Sequence, residues 1–146
     1  MDEDSYTRLL SAPWNCVKAN DDNVYYLKYH TDNTGYRLLV TDLRRVWYDA
    51  ANARALKKQA SSHRLVIDDD EQLQQLLKHL ETFLHDVKGK CQVEQMKEGQ
   101  ELRIRGSESQ GFATLAWTFM CKALLAEAPT MCNMTFHLES LMKHVF

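Results

Sequence analysis

Hydrophobic and polar positions alternate with the two-residue period of β-strands through the first third of the chain. The alternation runs through residues 14–19, 25–30 and 35–41, and it resumes over residues 43–47 after Asp42 interrupts it. Aspartate is common in turns, so its position favours a tight connection between two strands. The pattern therefore predicts four short antiparallel strands that follow one another along the chain.

The period changes to that of α-helices in the middle of the chain. Residues 50–61 are rich in alanine and predict a short helix. From Leu73 to Val87, apolar residues recur at three- and four-residue intervals and form one continuous stripe along a longer helix. Acidic residues at 68–70 suit the N-terminus of that helix, and Gly89 is expected to end it as the C′ residue.

Strand-like alternation returns over residues 91–94, 102–105 and 114–121, with a turn predicted at 97–99. These strands bring the predicted number to seven, separated by a pair of helices, which is an α+β pattern. We expect a seven-stranded antiparallel β-sandwich with a helix-turn-helix insertion over about residues 50–88.

The end of the chain carries a different pattern. Apolar residues recur there at alternating intervals of three and four, as in the seam of a coiled coil, although an ordinary amphipathic helix packed on the preceding domain explains so short a pattern equally well. We predict a head domain over residues 1–128 and the start of a stalk helix over residues 129–146. Because the pattern stops without a helix-ending residue, we expect the stalk to be longer in the complete protein. The predicted dimerisation seam is Met131, Met134, Leu138, Leu141 and Val145.

Composition and charge narrow the functional classes. The net charge of −2 argues against a strongly electrostatic nucleic-acid binder. The four cysteines show no metal-ligand spacing, so we expect reduced thiols and no metal site. No apolar run is long enough to span a membrane, and the acidic first residues are unlike a signal peptide.

Candidate catalytic residues do not form a recognisable set. The chain contains neither a nucleophile motif nor a glycine-rich phosphate loop. His79 and His85 fall on different faces of the predicted helix, and the acids at 68–70 suit a helix N-terminus better than a metal. We therefore expect binding rather than catalysis, with no cofactor.

The segment 35–47 reads G-Y-R-L-L-V-T-D-L-R-R-V-W and resembles the head domain of the Cernunnos/XLF family of DNA end-joining factors. Further segments resemble that family in the same order: P-W at 13–14, L-R-I-R at 102–105, G-F at 111–112 and W-T-F at 117–119. This order along the chain carries the resemblance, since none of the short motifs is specific alone.

The resemblance implies a non-catalytic nuclear scaffold factor of non-homologous end joining, the repair of DNA double-strand breaks. Such a factor bridges DNA ends through head-to-head contacts with the partner protein of DNA ligase four, and it forms homodimers through its stalk. In the family, Ku and DNA bind mainly through a basic C-terminal tail, for which this chain has no residues after Phe146.

Phe112 is the first candidate for the partner contact. It follows the glycine that matches the family's G-L segment, whose leucine enters a pocket on the partner's head. Strict alternation places Phe112 opposite the buried set that contains Leu115, whereas a bulge at the strand start would turn it into the core. Because the register of the match is shifted by one residue, Leu115 is the other candidate.

The segment His63-Arg64-Leu65 resembles the family's K-R-L segment, which contributes to the same contact. A long basic side chain such as Arg64 can reach a partner from a loop. In the other interpretation the segment is a solvated turn from which Leu65 or Val66 fills the core, so Leu65 fits either the interface or the core. Histidine in place of lysine at position 63 would weaken a charge contact at neutral pH.

A second hypothesis comes from the same fold superfamily. A self-assembling cytoskeletal head, like that of the centriolar cartwheel protein, would also present one contact residue beside a stalk, but its partner would be a copy of itself.

Several arginines on the predicted strands and turns most simply form a solvated face and could contribute a weak contact to DNA phosphates. These arginines are Arg37, Arg44, Arg45, Arg103 and Arg105.

Overall fold

A computed structural model describes residues 8–9, 11–20, 22–63, 65–110 and 113–124. Between residues 15 and 124, these ranges form seven strands and three α-helices, which confirms the α+β pattern. The strands are β1 (Asn15–Lys18), β2 (Val24–Asp32), β3 (Gly35–Thr41), β4 (Val46–Asn52), β5 (Cys91–Met96), β6 (Glu101–Gln110) and β7 (Ala113–Ala123). The helices are α1 (Ala53–Ser62), α2 (Asp70–His85) and α3 (Val87–Lys90), and a 3₁₀ turn covers Lys97–Gly99.

The described strands form one antiparallel sheet in the order β1-β2-β3-β4-β7-β6-β5. The antiparallel strands are therefore confirmed, but the two layers of the predicted sandwich are halves of a single curled sheet. β4 and β7 join the halves through two paired positions, Trp47 with Ala123 and Tyr48 with Lys122. This pairing is distant in sequence, which is why strand alternation alone did not indicate it.

The sheet curls until its two edge strands approach each other. The backbone N–H of Val93 on β5 donates a 2.7 Å hydrogen bond to Oδ1 of Asn20, which follows β1. Gln95 on β5 donates a 2.8 Å hydrogen bond to the hydroxyl of Tyr25 on β2. Within the described residues, hydrogen bonds that involve side chains thus connect β5 to the hairpin of β1 and β2.

The core fills the inner face of this curled sheet. The inward residues of the strands pack against the apolar stripe of α2, which the sequence predicted. Phe83 of α2 lies directly on Gly106 of β6, where an added Cβ would come within 2.6 Å of the phenylalanine ring. Glycine at this position therefore allows the helix to pack closely on the strand.

α1 begins later than the sequence predicted. Ala50 and Ala51 belong to β4, where they pair with Arg37 and Tyr36 of β3. Asn52 then caps α1, since its side chain accepts a 2.9 Å hydrogen bond from the backbone N–H of the third residue after it. Strand pairing and this cap together outweigh the helical preference of the two alanines.

The end of α2 also differs from the prediction. Its start is as expected, because Asp69 accepts a 2.8 Å hydrogen bond from the backbone N–H of Gln72. The helix ends at His85, however, and Gly89 lies inside α3 and is not a C′ residue. The Asp86 side chain starts α3 by accepting a hydrogen bond from the Gly89 N–H, 3.1 Å long.

The turn before β4 is confirmed at Asp42, but the strand resumes later than predicted. Asp42 accepts hydrogen bonds from the backbone N–H groups of Arg44 and Arg45, at 2.9 Å and 2.8 Å. Leu43 has a φ angle of 74° and belongs to the turn. The first strand residue is Val46.

Ionisable side chains are wholly or partly buried on both faces of the sheet. On the outer face, Lys28 lies under Trp14, with its Nζ 4.5 Å from the ring centre, and burial lowers the pKa of Lys28 to about 8. On the inner face, Tyr36 donates a 2.5 Å hydrogen bond to Asp49, and burial raises the pKa of Asp49 to about 6. Burial, together with this carboxylate, also raises the pKa of Tyr36.

Candidate partner-binding site

The hairpin of β6 and β7 leads to the predicted contact residue. Its strands remain paired as far as Gln110 and Ala113. Phe112 falls between these two positions in the sequence and lies outside the described residues. Its role as a partner contact therefore stays a prediction.

Leu115, the other candidate, lies on the inner face of β7. Its side chain is 7% exposed and belongs to the same core as Trp117, Phe119 and Cys121. This burial confirms the predicted inward set of the last strand. A contact between Leu115 and a partner stays a prediction, and it would need the end of the hairpin to open.

The loop between α1 and α2, residues 63–69, carries the second predicted segment. His63 is exposed, and Leu65 is half-buried against the main core. The backbone N–H of Leu65 donates a 2.8 Å hydrogen bond to the carbonyl of Ala60, which fixes the loop to the end of α1. Arg64 lies outside the described residues.

Two contacts bring this interhelix loop to β7. The rings of His63 and Trp117 lie 5.7 Å apart between their centres. Gln59 of α1 donates a 2.8 Å hydrogen bond to the backbone carbonyl of Thr118. β4 pairs with only the C-terminal end of β7, beyond Thr118. The Thr118 carbonyl therefore accepts a hydrogen bond from the Gln59 amide and not from β4.

A charged cluster supports the other side of the hairpin. Glu108 of β6 pairs across the hairpin with Leu115. Its carboxylate lies 3.2 Å from Nζ of Lys90 in α3 and 3.5 Å from Nδ1 of His79 in α2. The hydrogen bond from Lys90 lowers the pKa of Glu108, so this carboxylate stays charged at neutral pH and links α3 to β6.

Most of the five arginines considered for DNA contacts have partners within the chain. Arg44 is exposed. A guanidinium group that is engaged locally offers less to a phosphate, so these positions support at most a weak DNA contact. The local contacts are Arg37 with the Tyr48 hydroxyl, Arg45 with the Glu98 carbonyl, Arg103 with Glu101 and Arg105 with Glu94.

The dimerisation residues Met131, Met134, Leu138, Leu141 and Val145 lie outside the described residues. Cys16, Cys91 and Cys121 carry free thiols. Within the described ranges, no three histidine, cysteine or acidic side chains are grouped to hold a metal.

None of the helices in the described ranges has the length and apolar character that crossing a membrane requires.

Three residues near the candidate site were missed by the sequence analysis. Gln59 and Glu108 act through partners that are distant in sequence, so no local pattern marks them. Of the two residues considered for filling the core from this turn, Leu65 is half-buried, whereas Val66 is 70% exposed, so its place in the core was a wrong prediction. Val66 lies in the apolar segment 65–67, directly after a helix. Three apolar residues in a loop were the sequence feature that could have indicated an exposed contact residue.

Among solved structures, the chain is similar to an N-terminal fragment of Drosophila melanogaster Sas-6 that is dimerised through its coiled-coil domain. The TM-score is 0.54 and the sequence identity 15%, over 92% of this chain and 71% of the fragment. At this identity the similarity shows a shared fold. No curated protein matches the chain.

The sequence also matches a family model described as the XLF N-terminal domain, over residues 13–123. The match begins just before β1 and ends with the last residue of β7, so it covers the whole curled sheet and its helices. The chain therefore belongs to the XLF family.

Proposed function

We propose that this chain is the head domain of a non-catalytic scaffold factor of non-homologous end joining. It acts in the repair of DNA double-strand breaks by binding, head to head, the partner protein of DNA ligase four. Membership of the XLF family supports this pathway. The contact between His63 and Trp117 is the observation that supports the proposed location of the site, because it joins the interhelix loop to the strand that follows Phe112.

The proposed site combines an apolar contact with a basic one. Phe112 enters a pocket of the partner, with Leu115 as the alternative contact residue. His63, Arg64 and Leu65 contribute from the interhelix loop. Aromatic and arginine side chains are the usual high-energy contacts of protein interfaces, which suits this combination.

We further propose that a stalk helix forms the homodimer, through the seam that begins at Met131. Two heads on one stalk bridge DNA ends by each binding a partner head. A C-terminal tail supplies the contacts with Ku and DNA. This activity places the protein in the nucleus.

Phe112→Ala tests the site directly. We expect binding to the ligase-four partner to weaken by roughly 2–4 kcal/mol, while the melting temperature stays nearly unchanged. Isothermal titration against the recombinant partner head and a thermal melt measure the two effects. If Phe112 is instead a core residue, the variant should lose about 3–5 kcal/mol of stability and melt well below the wild type.

The alternative is a self-assembling cytoskeletal head. The fold shared with the Sas-6 fragment is compatible with this alternative but does not identify a partner. A pull-down from nuclear extract separates the two. Recovery of ligase-complex proteins supports the repair function, whereas recovery of the bait chain alone supports self-assembly.

A further inference from the structure

Val66 is the most exposed large hydrophobic residue in the described ranges. Its side chain is 70% exposed, compared with 45% for Met120 and 43% for Val24. Single exposed apolar residues are common on protein surfaces and need no explanation by themselves. The position of Val66 is different because it lies in the interhelix loop, directly after Leu65 of the candidate site.

The loop holds Val66 outward. Leu65 and Ile67, on either side of it, are half-buried and pack against the main core. The loop backbone is fixed before Val66 by the hydrogen bond from Leu65 to Ala60, and after it by a 2.6 Å hydrogen bond from the Asp68 N–H to Gln72. A side chain presented from such a fixed backbone loses little conformational entropy when a partner covers it.

The charges beside Val66 indicate what kind of surface would face it. The next three residues, Asp68, Asp69 and Asp70, are all exposed. Asp69 uses one carboxylate oxygen to cap α2, and the other two carboxylates have no such capping role. A partner that covers Val66 therefore meets negative charge on one side of the apolar contact.

We infer that Val66 is an apolar contact of the same partner-binding site. It occupies a shallow hydrophobic hollow on the head of the ligase-four partner, and lysine or arginine side chains at the rim of that hollow face Asp68 and Asp70. This inference rests on the proposed function, and it adds a contact residue and a partner chemistry that the K-R-L resemblance does not supply.

The test compares variants by isothermal titration against the recombinant partner head. Val66→Asp places a charge in the hollow and should weaken binding about tenfold or more. Val66→Thr keeps the shape and should give an intermediate loss, and Val66→Ile should bind within about twofold of wild type. Val24→Asp, at another exposed valine, is the matched control and should bind normally.

A second measurement tests the charge complementarity. Asp68→Asn should weaken binding at low salt and reduce the dependence of affinity on ionic strength, because one screened charge pair is lost. All of these residues are exposed, so melting temperatures should match the wild type and exclude unfolding as the cause.

The outcomes are distinguishable. If the wild-type chain does not bind the partner, the proposed function and this inference both fall. If the wild type binds and Val66→Asp binds equally well, the inference alone is overturned. An unchanged salt dependence in Asp68→Asn would refute the basic rim.

Discussion

Asp49 keeps a carboxyl group on the inner face of β4, where burial raises its pKa to about 6. Tyr36 donates a hydrogen bond to it, which favours the charged form but offsets only part of the lost hydration. In an unfolded chain the same group titrates near 3.8. Between these two values the folded protein holds a proton that the unfolded chain has already released.

Asp49→Asn is therefore expected to raise the free energy of unfolding at pH 7, by about 1–3 kcal/mol, because it removes a buried charge. The carboxylate of the wild type costs more stability as the pH rises from about 4 to about 6. The advantage of the variant should grow over that interval and stay constant above it.

Urea unfolding at about pH 4, 5, 6 and 7 measures this difference. Asp68→Asn, at an exposed position, is the control and should show little of the effect. A variant less stable than the wild type at neutral pH would mean that the hydrogen bond from Tyr36 outweighs the cost of burial.

α1 depends on β7 as much as on its own sequence. Its end is held by the hydrogen bond from Gln59 to the Thr118 carbonyl and by the ring of His63 against Trp117. The same end of the helix begins the interhelix loop. The position of that loop on the surface is thus set by β7.

Gln59→Met tests this dependence, since methionine keeps the length of the side chain and removes the amide. We expect a loss of about 1 kcal/mol in stability, because the Thr118 carbonyl loses its partner. Affinity for the ligase-four partner should also fall, by about threefold, as the loop shifts.

Gln75→Met, on the exposed face of α2, provides the comparison and should change neither quantity. Chemical denaturation and titration against the partner head report the two effects. Unchanged affinity in a destabilised Gln59→Met would show that the loop keeps its position without the hydrogen bond.

Local patterns predicted the elements, and distant pairings decided what those patterns left open. The stripe from Leu73 to Val87 identified the buried face of α2, because helical periodicity is a property of neighbouring residues. Gly89 was misleading, because Asp86 ends α2 through its backbone N–H and starts α3 through its side chain.

The candidate site was likewise predictable only where a local pattern or the family resemblance applied. Alternation correctly placed Leu115 inward, and resemblance indicated the interhelix loop. The contacts that bring the loop to β7 involve residues far apart in sequence, among them Gln59, and no periodicity could show them. Exposure of Val66 depended on how its two neighbours pack.

The charge of the whole molecule does not favour strong binding to DNA. The net charge is −2, and the arginines on the sheet are largely engaged with groups of the same chain. Binding to duplex DNA without base contacts depends on releasing counterions from several phosphates at once. Scattered arginines that already contact groups of the same chain neutralise few phosphates, so they release few counterions.

The chain is therefore expected to bind duplex DNA weakly, and to lose that binding as salt rises from about 50 to about 200 mM. Fluorescence anisotropy with a labelled duplex over this range measures the effect. Arg44→Ala, at an exposed arginine, should reduce the residual binding. Tight binding that resists salt would instead indicate a surface that reads the DNA grooves.

The narrow junction of β4 with β7 has a consequence for the rate of folding. β2, β3 and β4 pair with neighbours in sequence, whereas β4 and β7 must meet across the whole helical segment and two further strands. Closing such a long loop costs entropy before any contact repays it, so this step should come late and limit the rate. Trp47 lies at the junction, buried and donating a 2.8 Å hydrogen bond to the Gly99 carbonyl. Its fluorescence should follow that slow closure as a native reporter.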